Sequence, residues 1–187
     1  DGLSYPLWLD YGRDNYAGVT WNNVPAKDGR HLFMGWMNNW DYANSVPSLN
    51  FSSANTLVRE LKLVHNGNHL VVASPPIAEM ADLRRNGEKI GKKQVNKTYT
   101  LEKLLKDNQG AYEIEFSVKP KGVDRFEFKL VNIKGENIRF VFDLNKNTLS
   151  VDRAKSGLID FSDNFATALI NAPLVAKDSY KIRLFVD

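Results

Sequence analysis

Trp8 to Pro47 reads WLDYGRDNYAGVTWNNVPAKDGRHLFMGWMNNWDYANSVP. Two strand-like runs stand out in it. Tyr16-Ala-Gly-Val-Thr-Trp21 leads into the turn-forming cluster Asn22-Asn23-Val24-Pro25. His31-Leu-Phe-Met-Gly-Trp36 follows the turn signal Asp28-Gly29. Directly after the second run comes Met37-Asn-Asn-Trp-Asp-Tyr42, which is polar and aromatic but not periodic. A plain hairpin has no need of Asn38, Asn39, Trp40 and Asp41 in succession at a strand end. A carbohydrate site does. A flat ring covers the C–H face of a sugar, while amides and carboxylates meet its hydroxyls.

Outward from this stretch, the chain keeps the two-residue alternation of half-buried strands. Tyr112, Ile114, Phe116 and Val118 share one side, with Glu113, Glu115 and Ser117 on the other. Phe126, Phe128 and Leu130 alternate with Glu127 and Lys129. Ile138, Phe140 and Phe142 alternate with Arg139 and Val141, so that strand is expected to be covered on both faces. Tyr180, Ile182, Leu184 and Val186 alternate with Lys181, Arg183 and Phe185. Lys121-Gly122, Lys134-Gly135, Asn145-Lys-Asn147 and Ser156-Gly157 punctuate the runs. Short strands with turns at this spacing predict an all-β fold, an antiparallel β-sandwich. Its inner faces should hold Tyr112, Ile114, Phe116, Phe126, Phe128, Leu130, Phe140, Ile182 and Leu184. Glu79 to Arg85, after Pro75-Pro76, is the one short helix expected. All four Trp lie in the first 40 residues, which places a domain boundary near 46–53. Ligand-facing chemistry then belongs to the first quarter and scaffold to the rest.

Composition narrows the classes. The chain of 187 residues is 43% hydrophobic, enough for a globular core. A net charge of +3, mixed in sign, gives no argument for nucleic acid. The basic run Arg84, Arg85, Lys89, Lys92, Lys93 and Lys97 reads as a solvated loop. The absence of Cys removes disulfides, thiolate metal sites and Cys nucleophiles. No apolar run approaches the ~20 residues of a membrane span, so membrane insertion is not expected, and no signal peptide pattern is visible.

The runs LDYGRDNYAGVTW and GRHLFMGWMNNWDYANSVP resemble the last blade of the five-bladed catalytic β-propeller of family 32 glycoside hydrolases. These are the invertases, levanases and inulinases that act on β-fructosides. Ser53-Ala-Asn-Thr-Leu-Val-Arg-Glu-Leu61 is similar to that family's exit from the propeller. The remainder, including Val151-Asp-Arg-Ala-Lys-Ser-Gly157, resembles its C-terminal sandwich, of jelly-roll or concanavalin-like type. The resemblance implies residues 1–47 as a partial last blade and 48–187 as the sandwich domain.

It also implies what this chain does not carry. The family works with three carboxylates, set in W-M-N-D-P-N-G, R-D-P and E-C motifs. Here Trp36-Met37-Asn38 continues as Asn39-Trp40-Asp41, Arg13-Asp14 is followed by Asn15, and Cys is absent. The chain therefore reads as the distal portion of such an enzyme, cut before its catalytic half. The final alternating run Lys181 to Asp187 has no closing turn, which reads as a truncation there too. No catalytic residue is assigned. The expected partners are a fructan or sucrose-type carbohydrate and the missing N-terminal catalytic propeller, with no cofactor. The parent would be extracytoplasmic, secreted or periplasmic. The rival reading is a non-catalytic carbohydrate-binding β-sandwich module, which would rarely begin with an isolated blade and its unpaired edges.

Four residues are the substrate-binding candidates: Trp40, Asn39, Asp14 and Tyr42. By resemblance, a Trp after paired Asn lines the fructose pocket. The competing role for Trp40 is packing between blade and sandwich. Asp14 sits with Asp10 around Gly12, where turn chemistry competes with a role in the site. Trp21 and Trp36 lie inside strands and are expected in the core. His65 and His69 flank Asn66-Gly67-Asn68, a hairpin turn, so no metal site is read there. Gly87-Glu-Lys-Ile-Gly-Lys-Lys93 lacks the spacing and the Ser/Thr of a phosphate loop. Asn50-Phe-Ser52 and Asn96-Lys-Thr98 are formal glycosylation sequons.

Overall fold

Alternating patterns become strands throughout. The computed structural model describes residues 6–101, 110–166 and 169–187. Ten strands appear among them: β1 Tyr16–Thr20, β2 His31–Trp36, β3 Arg59–Asn66, β4 His69–Ala73, β5 Tyr112–Val118, β6 Arg125–Val131, β7 Asn137–Asp143, β8 Thr148–Lys155, β9 Ile170–Pro173 and β10 Tyr180–Val186. Every pairing is antiparallel. The chain is all-β, as its periodicity requires.

Two compact units divide it. One comprises Asp1–Ile77 and Gly122–Ala176, the other Ala78–Lys121 and Lys177–Asp187.

The first unit holds two four-stranded sheets, β1-β2-β3-β4 and β6-β7-β8-β9. In the former, β2 matches its sequence run residue for residue. β1 ends one residue early, although Trp21 N still donates to Leu32 O at 3.0 Å. The register shifts between Tyr16 and Val19, where Ala17 adopts φ +48. At Gly18 a Cβ would stand 2.2 Å from Phe33 Cζ, so glycine is what lets that ring lie against the bulged strand. The β3–β4 hairpin turns at Gly67, whose φ of +59 suits the first central position of a two-residue hairpin loop. Because β3 pairs with β2, one sheet takes strands from both sides of the composition change near 46–53.

The sheet β6-β7-β8-β9 is a meander of sequential neighbours. In β6, Phe126, Phe128 and Leu130 are half-buried, and Arg125, Glu127, Lys129 and Val131 are exposed. β7 is covered on both faces: adjacent Val141 and Phe142 are both buried. Phe142 stacks on Phe126 with ring centroids 4.4 Å apart and planes 10° apart. Between the pairs Asn137–Lys155 and Arg139–Asp152, two residues of β8, Arg153 and Ala154, oppose the single Ile138 of β7, a bulge. A four-residue α-helix, α1 Asp163–Ala166, packs by β8. Nothing in the periodicity had marked it, because one helical turn is too short to show a period.

In the second unit β5 and β10 pair along their whole lengths, Ile182 opposite Phe116 and Leu184 opposite Ile114. Glu113 is half-buried on the polar side because it receives Arg84 at 2.7 Å and Arg183 at 2.7 Å. The helix expected over Glu79 to Arg85 is a 3₁₀ segment, Ala78–Leu83. It stops before Arg84, whose side chain goes to Glu113, and Asn86 then takes the left-handed φ +52 that ends helices. Residues 84–100, with the basic run, have no regular structure and are exposed.

Candidate functional site

Trp40 is carried on the segment that leaves β2. Asn38, 5% exposed, begins the turn by accepting the N–H of Asn39 at 2.8 Å on its side-chain oxygen. Asn39 then organises the rest. Its Oδ1 accepts Asp41 N at 2.9 Å, its Nδ2 donates to Arg13 O at 3.0 Å, and its carbonyl accepts Ala43 N at 2.8 Å. The run of short amides that breaks the strand pattern is thus a set of side-chain-to-backbone bonds, local at Asn39 N and Asp41 N, the habit that makes Asn a turn residue, and long-range at Arg13 O. Asp41 adds an ion pair to Arg13 at 2.9 Å.

With its backbone fixed so tightly, Trp40 nevertheless stands 63% exposed. Its ring contact is Trp36, with centroids 4.9 Å apart and planes tilted 56°. Trp36 is half-buried and touches Tyr16 edge-on at 6.3 Å. Tyr16, Trp36 and Trp40 form a short aromatic row with its outer end open. Trp21, expected in the core, is 43% exposed: it follows an edge strand, β1, whose residues are all exposed.

Asp14 and Tyr42 come together on the inner side of this segment. The Tyr42 hydroxyl donates to Asp14 Oδ1. Arg153 joins both: its Nη1 reaches Asp14 Oδ2 at 2.6 Å and its Nη2 donates to the Tyr42 oxygen at 2.8 Å. The remaining nitrogen, Nε, donates to Phe165 O at 2.7 Å, and the guanidinium lies 3.9 Å from the Phe165 ring centroid. Tyr42 is 3% exposed and meets Phe161 and Phe165 edge-on. Burial pushes the Tyr42 hydroxyl above its ordinary pKa, and the Asp14 carboxylate adds to this against Arg153. The hydroxyl stays protonated and is available as a donor to Asp14 at neutral pH.

Asp10 belongs to a separate, saturated cluster. Oδ1 accepts Gly12 N at 2.7 Å; Oδ2 accepts Asn15 Nδ2 at 3.1 Å and Arg59 Nη2 at 2.6 Å. Such a carboxylate ties a turn to β3. An open cleft of about 370 Å³ lies beside it, lined by Leu7, Trp8, Leu9, Asp10, Asn15, Gly18 and Phe33. Among the described residues no group of three His, Cys, Asp or Glu is placed to hold a metal ion.

Sequence reading brought forward Trp40, Asn39, Asp14 and Tyr42; the first, second and fourth share the segment after β2, and Asp14 meets Tyr42 from the 10–14 turn. It missed Arg153, Phe161 and Phe165. A signal existed for the first: in β8 Leu149 and Val151 share a side, and Arg153 continues their row as a charged residue at an apolar position. The bulge that includes it is the kind of irregularity that re-aims a side chain.

The chain can be set beside known proteins. Residues 79–187 match the family model described as Glycosyl hydrolases family 32 C terminal, and residues 3–74 match Glycosyl hydrolases family 32 N-terminal domain. A levanase of Bacillus subtilis (strain 168) is 37% identical over 185 residues, which is 97% of this chain and 27% of the relative. An extracellular exo-inulinase of Aspergillus niger is 28% identical over 198 residues, 100% of this chain and 35% of the relative. Among solved structures, exo-inulinase from Aspergillus awamori superposes with a TM-score of 0.74 at 24% identity, over 96% of this chain and 35% of that one. At that identity the likeness speaks for the fold. The chain spans between 27% and 35% of the length of these relatives.

Proposed function

The chain belongs to glycosyl hydrolase family 32, and from that premise we propose that it is the distal part of a β-fructan- or sucrose-hydrolysing enzyme. It supplies one wall of the fructose pocket and a stabilising sandwich. The carboxylates that break the glycosidic bond lie elsewhere in the full-length protein. Both carboxylates of the 10–14 turn support this division of labour, since Asp10 and Asp14 are each engaged by an arginine. Neither is poised as a free nucleophile or proton donor.

One observation carries the pocket wall: Trp40 is 63% exposed on a backbone that Asn38, Asn39 and Arg13 hold still. An indole kept open on a rigid segment is a ready sugar platform, costing little ordering when ligand arrives. Asn39 lies beside it with its amide spent on the turn, so its part is to fix the platform. Asp14 and Tyr42 stand behind. Hydrolysis with retention, through a fructosyl-enzyme on an Asp outside this chain, completes the reading. The named extracellular relative supports an extracytoplasmic parent. No helix among the described residues is long and apolar enough to cross a membrane.

The test is Trp40→Ala in the full-length enzyme. Loss of an aromatic platform contributes about 1–3 kcal/mol, which lowers kcat/KM by about tenfold to a hundredfold. An unchanged kcat/KM removes Trp40 from the pocket.

A further inference from the structure

We infer that Arg153, on β8, is a residue that positions Trp40. The inference rests on the pocket reading given above and adds to it the part that sets the platform's place.

The turn that carries Trp40 is tied locally and, through Arg13, to the 10–14 turn: Asn39 Nδ2 donates to Arg13 O at 3.0 Å and Asp41 pairs with the Arg13 side chain at 2.9 Å. The side-chain oxygens of Asn38 and Asn39 accept from the neighbouring Asn39 and Asp41 N–H groups, and the ties to Arg13 lie on a half-exposed face, Arg13 and Asp41 having side chains 25% and 53% exposed. Trp40, being exposed, has little packing of its own beyond Trp36. The buried long-range tie comes two residues later. Tyr42 is buried, and its hydroxyl is held from one side by Asp14 and from the other by Arg153. All three guanidinium nitrogens of Arg153 are used, on Asp14, Tyr42 and Phe165. The Arg153 side chain is 11% exposed, so the planar fork works with little competition from water. Phe165 comes from α1, and its ring covers the guanidinium face. A three-way clasp of this kind gives one geometry, and a platform displaced by about 1 Å costs on the order of a hundredfold in a positioned reaction.

The measurement is a double-mutant cycle in the full-length enzyme: Trp40→Ala, Arg153→Met and the pair, each with kcat, KM and Tm on a β-fructoside. Arg153→Met alone should lower kcat/KM about tenfold in the protein that stays folded. The pair should then be no worse than Trp40→Ala within about twofold, because removing the ring removes what Arg153 positions. Arg153→Lys, which keeps the charge and loses the fork, should fall between wild type and Arg153→Met. A normal kcat/KM in Arg153→Met with a lowered Tm makes the arginine purely structural and overturns the inference. Multiplicative losses in the pair do the same. If Arg153→Met does not fold, Tyr42→Phe runs the same cycle, since it keeps the buried ring and deletes only the hydroxyl. If Trp40→Ala alone leaves kcat/KM unchanged, the pocket reading fails and takes this inference with it. If Trp40→Ala is damaging but Arg153→Met and Tyr42→Phe are not, only the inference fails.

Discussion

In the β6–β9 sheet Val141 and Phe142 are 9% and 5% exposed, whereas in the β1–β4 sheet Val19, Leu63 and Leu70 stand at 65%, 73% and 57%. The strands are similarly apolar. The meander β6–β9 covers β7 on both faces and stacks Phe126 on Phe142. The first sheet leaves apolar side chains open on β1, β3 and β4, and Leu63 and Val72, opposite one another, are both exposed. Exposed apolar side chains paired across strands, as Leu63 and Val72 are, mark a place where other protein packs. In the reading proposed above, the other blades of the propeller cover it. The contrast teaches which side chains answer to this chain alone and which answer to its surroundings.

Phe142→Ala should show the largest effect. It deletes a buried stacked ring, and such truncations cost about 3–5 kcal/mol. Denaturant unfolding of the chain measures it, and a loss under about 1 kcal/mol would mean that the β6–β9 core does not hold the fold.

Leu63→Ala should separate the two settings. In the isolated chain an exposed leucine is worth within about 0.5 kcal/mol. In the full-length enzyme, where the proposed blades bury it, the same change should cost about 2 kcal/mol or more. Equal small costs in both would leave the first sheet bare by design and remove the argument for neighbouring blades.

The smallest effect is expected outside both sheets, at Glu113 in β5. Its hydrogen bonds to Arg84 hold the carboxyl below the usual glutamate range; burial opposes them and Arg183 assists. A group whose folded pKa is depressed contributes stability above its unfolded pKa and loses it as pH falls through the folded value. Glu113→Gln should therefore lower Tm by roughly 2–4 °C at neutral pH and flatten the fall of Tm below the glutamate range. Parallel acid limbs in both proteins would show that Glu113 does not contribute to acid stability.

Strands were legible in the sequence wherever one face is buried. β6 and β10 announce themselves through alternation, β2 as a strand-like run after the turn signal Asp28-Gly29, and the β3–β4 turn through Asn66-Gly67. The segment Asn38–Tyr42 was legible as a candidate site because its composition contradicts its position at a strand end. The reason for its amides was not: they bond the backbone of Asn39, Asp41 and the distant Arg13. Arg153 was hidden for another reason. Its partners Asp14 and Tyr42 lie 139 and 111 residues away, and no local pattern encodes such a contact. The helix Asp163–Ala166 was too short to show a period, and the exposure of Trp21 depends on what neighbours β1 rather than on its own strand.

The central claim is that this chain brings a platform and a scaffold but no bond-breaking groups. Fructose release from levan, inulin and sucrose by the purified 187-residue chain tests it directly. The account predicts no release above buffer, because neither a nucleophile nor a proton donor for the leaving group is available. Steady, stoichiometry-exceeding release of fructose by contaminant-free chain would contradict it.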